Sequence, residues 1–295
     1  MFRAASLIWC IFPVLLHAQE RDLRQWVLVT PLYSVSGAAV LSDVQVLQDG
    51  RAANHDRPTV QREVPFRIGL LFDESGSGRR LPSHDLLLER VLDWTGDTLQ
   101  RHKGDAFLVG FNDQIITSTE MRADTSQLRL ALSQLRPIGG TALRDAIVHG
   151  SQKFDSVRPE PQPTARLLLV VSDGVDNASY GKERNAIESA QRSGVRVYVI
   201  GLPFPEAAAG KSLLEHLAVN TGGQAFFPAD ESDVDRALAA IERDVANSFL
   251  VGFVPEAHDG KSHKLRVELK NQSIHARYTP VFYAPSGATA GDSTR

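Results

Sequence analysis

Leu71-Phe72-Asp73-Glu74-Ser75-Gly76-Ser77-Gly78 decides how this chain is read. It closes the run Phe66-Arg67-Ile68-Gly69-Leu70-Leu71-Phe72, whose near-continuous apolar character is that of a strand buried on both faces. The Asp-x-Ser-x-Ser turn that follows presents one carboxylate and two hydroxyls on one side of a tight loop. Gly76 and Gly78 let the backbone fold that tightly.

Outward from this turn, strands and helices alternate. Leu87 and Val91, then Leu88 and Leu92, recur at the helical spacing and predict a helix over 83–102 with Ser83 as its N-cap. Strands are expected at 105–111, 166–172 and 195–201. Helices are expected at 125–135, 141–154, 183–192 (closed by Gly194), 212–219 (closed by Gly222-Gly223) and 230–247. In the last of these, Val234, Leu238, Ile241 and Val245 form one stripe and Asp230 or Ser232 the cap. A short strand falls at 224–227. This alternation implies an α/β fold, a Rossmann-like doubly wound, mostly parallel sheet with helices on both faces. Both ends read differently. Trp26–Thr30 and Val44–Leu47, then 248–254, 263–270 and 273–283, are strand-like and broken by turns at Asp49-Gly50, Asp259-Gly260 and Asn271-Gln272. The expected organisation is a β-rich segment over 19–64, an α/β domain over 65–247, a C-terminal β-meander over 248–284 packing with the N-terminal segment as one small sheet, and a disordered tail over 285–295.

Two further oxygen donors stand at loop ends: Thr141 in Gly139-Gly140-Thr141, and Asp173 in Ser172-Asp173-Gly174. In an open parallel sheet, loops at the carboxyl ends of the strands converge where the strand order reverses. Asp73, Ser75, Ser77, Thr141 and Asp173 thus form an all-oxygen set suited to a hard divalent cation, Mg²⁺ first and Mn²⁺ or Ca²⁺ as alternatives, and not to zinc. One position would remain for an outside ligand.

At these residues the chain resembles the von Willebrand factor type A domain family, over about 66–246, and within it a bacterial, secreted subgroup with flanking strands. The resemblance implies a Rossmann-like fold and a metal-ion-dependent adhesion site at those five positions, whose open coordination site takes an Asp or Glu carboxylate from a partner protein. It also makes the 230–247 helix the one that shifts on engagement. The chain departs from the family at Gly78-Arg79-Arg80, where an apolar residue is common. The two arginines either weaken the cation or recruit an acidic ligand.

The remaining features bound the function. Residues 1–18 read as a signal peptide: Arg3, a short apolar core, and cleavage after Ala18. That places the mature protein in the periplasm or outside the cell. The one cysteine of the 295 residues, Cys10, lies in that segment, which excludes disulfide frameworks and cysteine-rich metal sites. No segment is long and apolar enough to span a bilayer. A net charge of −3, or −4 once Arg3 is removed, gives no reason to expect nucleic acid. Gly210-Lys211-Ser212 is not a phosphate-binding loop, since Pro205 stands where that motif needs glycine. Ser77 is not in a Gly-x-Ser-x-Gly elbow. Asp145 and Asp176 read as capping or turn residues, Asn112-Asp113 as a turn, Glu74 as pointing outward, and His258 and His263 as solvated. The sequence therefore describes an exported protein-binding module without catalytic residues. Two alternatives are a metal-assisted hydrolase and a structural envelope module with a vestigial metal site.

Overall fold

The computed structural model describes residues 24–32, 44–60, 64–80, 83–156, 164–202, 207–270 and 275–286. Residues 1–23, which include the expected signal segment and Cys10, residues 287–295 of the expected tail, and the side chains of Arg79 and Arg80 lie outside the described part. In chain order the elements are β1 (Gln25–Pro31), β2 (Val44–Gln48), β3 (Arg51–Ala52), β4 (Thr59–Val60), β5 (Phe66–Asp73), α1 (His84–His102), β6 (Gly104–Phe111), β7 (Ile115–Ser118), α2 (Ser126–Gln134) and α3 (Leu143–Ser156). There follow β8 (Ala165–Ser172), α4 (Glu183–Arg192), β9 (Val195–Gly201), α5 (Ala207–Asn220), β10 (Ala225–Phe226), α6 (Glu231–Ala246), β11 (Phe249–Phe253), β12 (Ser262–Leu269), β13 (Ala276–Arg277) and β14 (Val281–Tyr283).

The central sheet has the order β10-β9-β8-β5-β6-β7 and is parallel except for β7. From β5 the chain builds outward through β6 and β7, then returns to place β8 on the other side of β5. The crevice between the carboxyl ends of β5 and β8 is therefore the switch point of a doubly wound sheet. Both faces of the sheet are covered. Phe66, Ile68, Leu70 and Phe72 meet the apolar stripes of α1, α2 and α6, whereas Leu71 faces α3, α4 and α5. Two-sided burial is why β5, β8 and β9 read as unbroken apolar runs.

The flanking strands form two four-stranded sheets, β13-β1-β11-β4 and β14-β12-β2-β3, rather than one sheet with a C-terminal meander. β11 and β12 are consecutive in the chain but lie in different sheets, each paired with an N-terminal strand. Apolar alternation is the cause. Val44 and Val46 with Leu265, Val267 and Leu269 make one apolar face; Val27 and Val29 with Phe249, Val251 and Phe253 make another, and the two faces close on each other. Leu250 and Leu28 point the other way, into the α/β core. The β1–β11 sheet is thus sandwiched, which explains why all five residues of β11 are buried.

A buried polar joint holds the two parts together. Arg196 of β9, 3% exposed, donates to Thr30 Oγ1 (2.5 Å) and to the Leu28 carbonyl (2.6 Å). Thr30 and Ser248 hydroxyls lie 2.6 Å apart. Asp244 near the end of α6 accepts from Tyr198 at 3.2 Å and pairs with Arg277 of β13.

Several local expectations are corrected. Ser83 precedes α1, but its hydroxyl makes no capping bond. Asp230, and not Ser232, caps α6 by accepting from the Asp233 amide. α3 starts at Leu143, not Thr141, because the Thr141 carbonyl is taken by the Asn177 and Ala178 amides (3.1 and 3.0 Å). α5 starts at Ala207, before the expected 212. β7 is an edge strand that the turn reading of Asn112-Asp113 stopped short of.

Candidate metal centre

Asp73 is the last residue of β5 and Asp173 follows the last residue of β8, so both carboxyls stand at the switch point. Asp73 Oδ1 accepts the Ser75 amide at 3.0 Å, which folds the chain back so that the hydroxyls of Ser75 and Ser77 lie 3.0 Å apart. Asp173 Oδ1 accepts the Val175 amide at 2.9 Å in the same kind of turn. Thr141 arrives on the loop between α2 and α3. That loop is tied to the first by Gly76 N–H to the Gly139 carbonyl (3.0 Å) and by Ile138 N–H to the Glu74 carbonyl (2.8 Å). It is tied to the third by Thr141 N–H to Asn177 Oδ1 (2.9 Å). Gly139, at φ +82°, gives the turn a conformation that disfavours side chains. The structure so gathers all five sequence-predicted residues on three mutually bonded loops at one end of the sheet. Asp73, Ser75, Thr141 and Asp173 are each under 5% exposed.

Burial pushes the Asp73 carboxyl up to about 6; donation from Ser172 and Ser75 pulls it down, and the neighbouring Asp173 charge pushes it up again. Two neighbouring carboxylates shielded from water are unfavourable without a compensating positive charge. The donors fit a hard divalent cation: five oxygens, two of them anionic. Asp73 Oδ1 accepts the Ser75 amide and Oδ2 the Ser172 hydroxyl, which orients the carboxylate toward the loop hydroxyls. Among the described residues no three His, Cys, Asp or Glu side chains cluster in a way that would hold a metal without hydroxyls.

The sequence missed three supports. Ser172, fully buried, donates to Asp73 Oδ2 at 2.5 Å and accepts the Gly174 amide at 3.0 Å, bridging the two aspartate turns. Its signal was a lone hydroxyl ending the run Leu167–Val171. Gly210, in the first turn of α5, lies against Asp173-Gly174; a Cβ on it would fall 2.3 Å from the Asp173 carbonyl oxygen. The Gly-Lys-Ser segment is thus a packing contact of this loop. Glu74 does not point outward as expected: it is 2% exposed, with Oε1 3.3 Å from Nε2 of the buried His84 at the start of α1. A Cβ built on Gly78 would fall 3.2 Å from His84 Nε2, so the Glu74–His84 pair packs the turn after β5 closely against the start of α1.

Asp145 and Asp176 brace the loop after Asp173. Asp145 accepts the amides of Tyr180 and Gly181. Asp176 accepts from the backbone and guanidinium of Arg144 and from Ser179. Burial would raise the Asp176 carboxyl, yet these donors hold it below its ordinary value. Asn112 makes a turn by accepting the Gln114 amide. His263 is not free in solvent; its ring nitrogens face Asp49 (2.7 Å) and Asp259 (3.1 Å).

A doubly wound sheet carrying this loop constellation defines an α/β domain of the von Willebrand type A class. The family model described as "von Willebrand factor type A domain" matches residues 68–253, more than half of the chain, and the chain belongs to this family. Domains of this family serve generally in protein–protein interaction. Among curated proteins none matches the chain. Among solved structures, a D319A mutant of the PilB minor pilin from Streptococcus sanguinis is similar at 15% identity and TM-score 0.51, covering 62% of each chain. Proximal thread matrix protein 1 from the mussel byssus is similar at 17% identity and TM-score 0.50, covering 65% of this chain and 48% of that one. A further structure of the mussel protein, described as having a zinc-occupied MIDAS motif, is similar at 18% identity and TM-score 0.49, over 72% of this chain and 50% of that one. At these identities the likeness is one of fold.

Proposed function

We propose that the protein is an exported, non-catalytic binding module in which Asp73, Ser75, Ser77, Thr141 and Asp173 hold a divalent cation, Mg²⁺ by preference, and that the cation ligates an Asp or Glu carboxylate of a partner protein. The observation that carries this reading is the buried Asp73–Asp173 pair ringed by hydroxyls at the switch point. When bound, the cation would supply Lewis acidity toward an incoming anion. The protein's own residues keep that acidity high by offering three neutral hydroxyls and only two carboxylates. Ser172 and the Ser75 amide orient Asp73, and the Val175 amide orients Asp173.

A hydrolase would need a base facing the open position, and the spare carboxylate of the loop, Glu74, is turned inward onto His84. That favours binding over turnover. Export rests on residues 1–18; no described helix is long and apolar enough to cross a membrane. Thermal denaturation of the full chain in chelator, Mg²⁺, Mn²⁺ and Ca²⁺ tests the reading. A divalent-specific rise in Tm that Asp73→Ala abolishes supports it. Equal Tm in all four conditions contradicts it.

A further inference from the structure

The loop that carries Asp173 ends in a residue the metal site does not use. Tyr180 is 99% exposed, the most exposed of the large hydrophobic side chains described. A loosely tethered surface tyrosine would be unremarkable. This one is held. Its amide donates to Asp145 Oδ2 and the next amide, Gly181, to Asp145 Oδ1, both at 2.9 Å. A Cβ at Gly181 would fall 2.8 Å from Asp145 Oδ1, so the carboxylate sits directly against this backbone. Ser179, the residue before it, is fixed through amide and hydroxyl by Asp176, which Arg144 holds in turn. Two residues earlier, Asn177 and Ala178 bond the Thr141 carbonyl. Two carboxylates and a guanidinium thus immobilise a backbone whose tip carries an unpacked aromatic ring, at the same end of the sheet as Thr141.

A second apolar side chain stands on the neighbouring loop. Ile138 is 55% exposed although its amide is anchored to the Glu74 carbonyl. Rigid backbone beneath exposed aromatic and aliphatic side chains lowers the ordering cost of binding and concentrates affinity in a few anchors.

We propose that Tyr180, assisted by Ile138, is the apolar anchor of the partner surface, and that the partner is a protein segment whose Asp or Glu is flanked within about three residues by an aromatic or long aliphatic side chain. This rests on the metal-bridged reading above. The carboxylate would supply the charge match to the cation, and its apolar neighbour would cover Tyr180. The anchor selects among acidic segments, most of which carry polar neighbours. Asp145 and Asp176 are positioning residues for it, without touching the partner.

A random peptide library displayed on phage and panned against the immobilised full chain in Mg²⁺ tests this. Enriched peptides are expected to pair a carboxylate with an apolar neighbour. Synthetic versions should bind Tyr180→Ala at least about tenfold more weakly, and Tyr180→Phe and Tyr180→Trp nearly as well as the natural chain. Tm and its Mg²⁺ increment should be unchanged in Tyr180→Ala, since the side chain packs on nothing. Enriched acidic peptides without an apolar neighbour, or equal binding by Tyr180→Ala, overturn the proposal, as does no enrichment over the bare support. Peptides that need Tyr180 yet bind equally in chelator and to Asp73→Ala keep the anchor and overturn the metal bridge.

Discussion

Gly210→Ala is the sharpest probe of how the proposed metal loop is built, because Gly210 is not itself a proposed ligand and the substitution changes none of the five side chains. The added Cβ would lie 2.3 Å from both the Asp173 carbonyl oxygen and the Gly174 carbonyl carbon, and 2.6 Å from Gly174 Cα. Ordinary contact starts at 3.4 Å and every neighbour is backbone, so α5 and the Asp173 turn must part by about 1 Å. Overpacking of this kind costs about 1–3 kcal/mol. Replacing glycine by alanine within a helix returns about 1 kcal/mol. The metal-free protein should therefore lose only about 0–2 kcal/mol. The effect on the cation should be larger in proportion, because Mg²⁺ tolerates little departure from octahedral geometry. At a Mg²⁺ concentration of about 100 Kd, binding stabilises the natural chain by about 2.7 kcal/mol, and a tenfold weaker site would keep about half of that. Urea unfolding with chelator and with saturating Mg²⁺ separates the two terms. The reasoning is refuted if Gly210→Ala keeps the whole Mg²⁺ increment. Gly96→Ala is the control: its Cβ meets only Thr125 at 3.6 Å, so it should gain up to about 1 kcal/mol with the increment intact.

Three other outcomes are expected. Ser172→Ala removes the hydroxyl donated to a buried carboxylate and should cost about 1.5–3 kcal/mol and weaken Mg²⁺ binding; urea unfolding and a Mg²⁺ titration measure the two effects, and a neutral change in both would contradict the bridging role. Hydrogen bonds from His263 to Asp49 and Asp259 raise its pKa above 6.5, so its stabilisation is complete below pH 6.5 and is lost as pH rises through the folded value. His263→Gln should flatten that fall in unfolding free energy between pH 6 and 9, and an unchanged profile would show that the clamp contributes nothing. Arg196→Met breaks the joint to Thr30 and Leu28 and leaves buried acceptors without their donor, which should cost about 1–3 kcal/mol, read in the same urea unfolding, where no loss would count against the joint.

How far the fold was legible follows from what periodicity can carry. β5, β8 and β9 are buried on both faces and announce themselves as apolar runs, and the helices of the α/β domain show their stripes. β7 has four residues of mixed burial and no run to see. In α5, Gly210 looks like a break in the pattern, yet it is the residue that lets the helix approach Gly174. The flanking strands show alternation at Val44 and Val46 and at Leu265 and Val267, but alternation says which face is apolar and not which strand is the neighbour. Two sheets could therefore pass for one. The five proposed ligands stood out as a pattern because each lies on a loop at the end of a strand or just ahead of a helix. Their supports were not, because Ser172, Glu74 and His84 act through contacts across separate elements.

Direct binding of Mn²⁺ to the full chain, followed by the loss of the free-ion electron paramagnetic resonance signal, tests the central claim most closely. The account predicts one Mn²⁺ per chain, displaced by excess Mg²⁺, lost in Asp73→Ala and in Thr141→Ala, and retained in Tyr180→Ala. Absence of Mn²⁺ binding, or binding unchanged in Asp73→Ala, would contradict it.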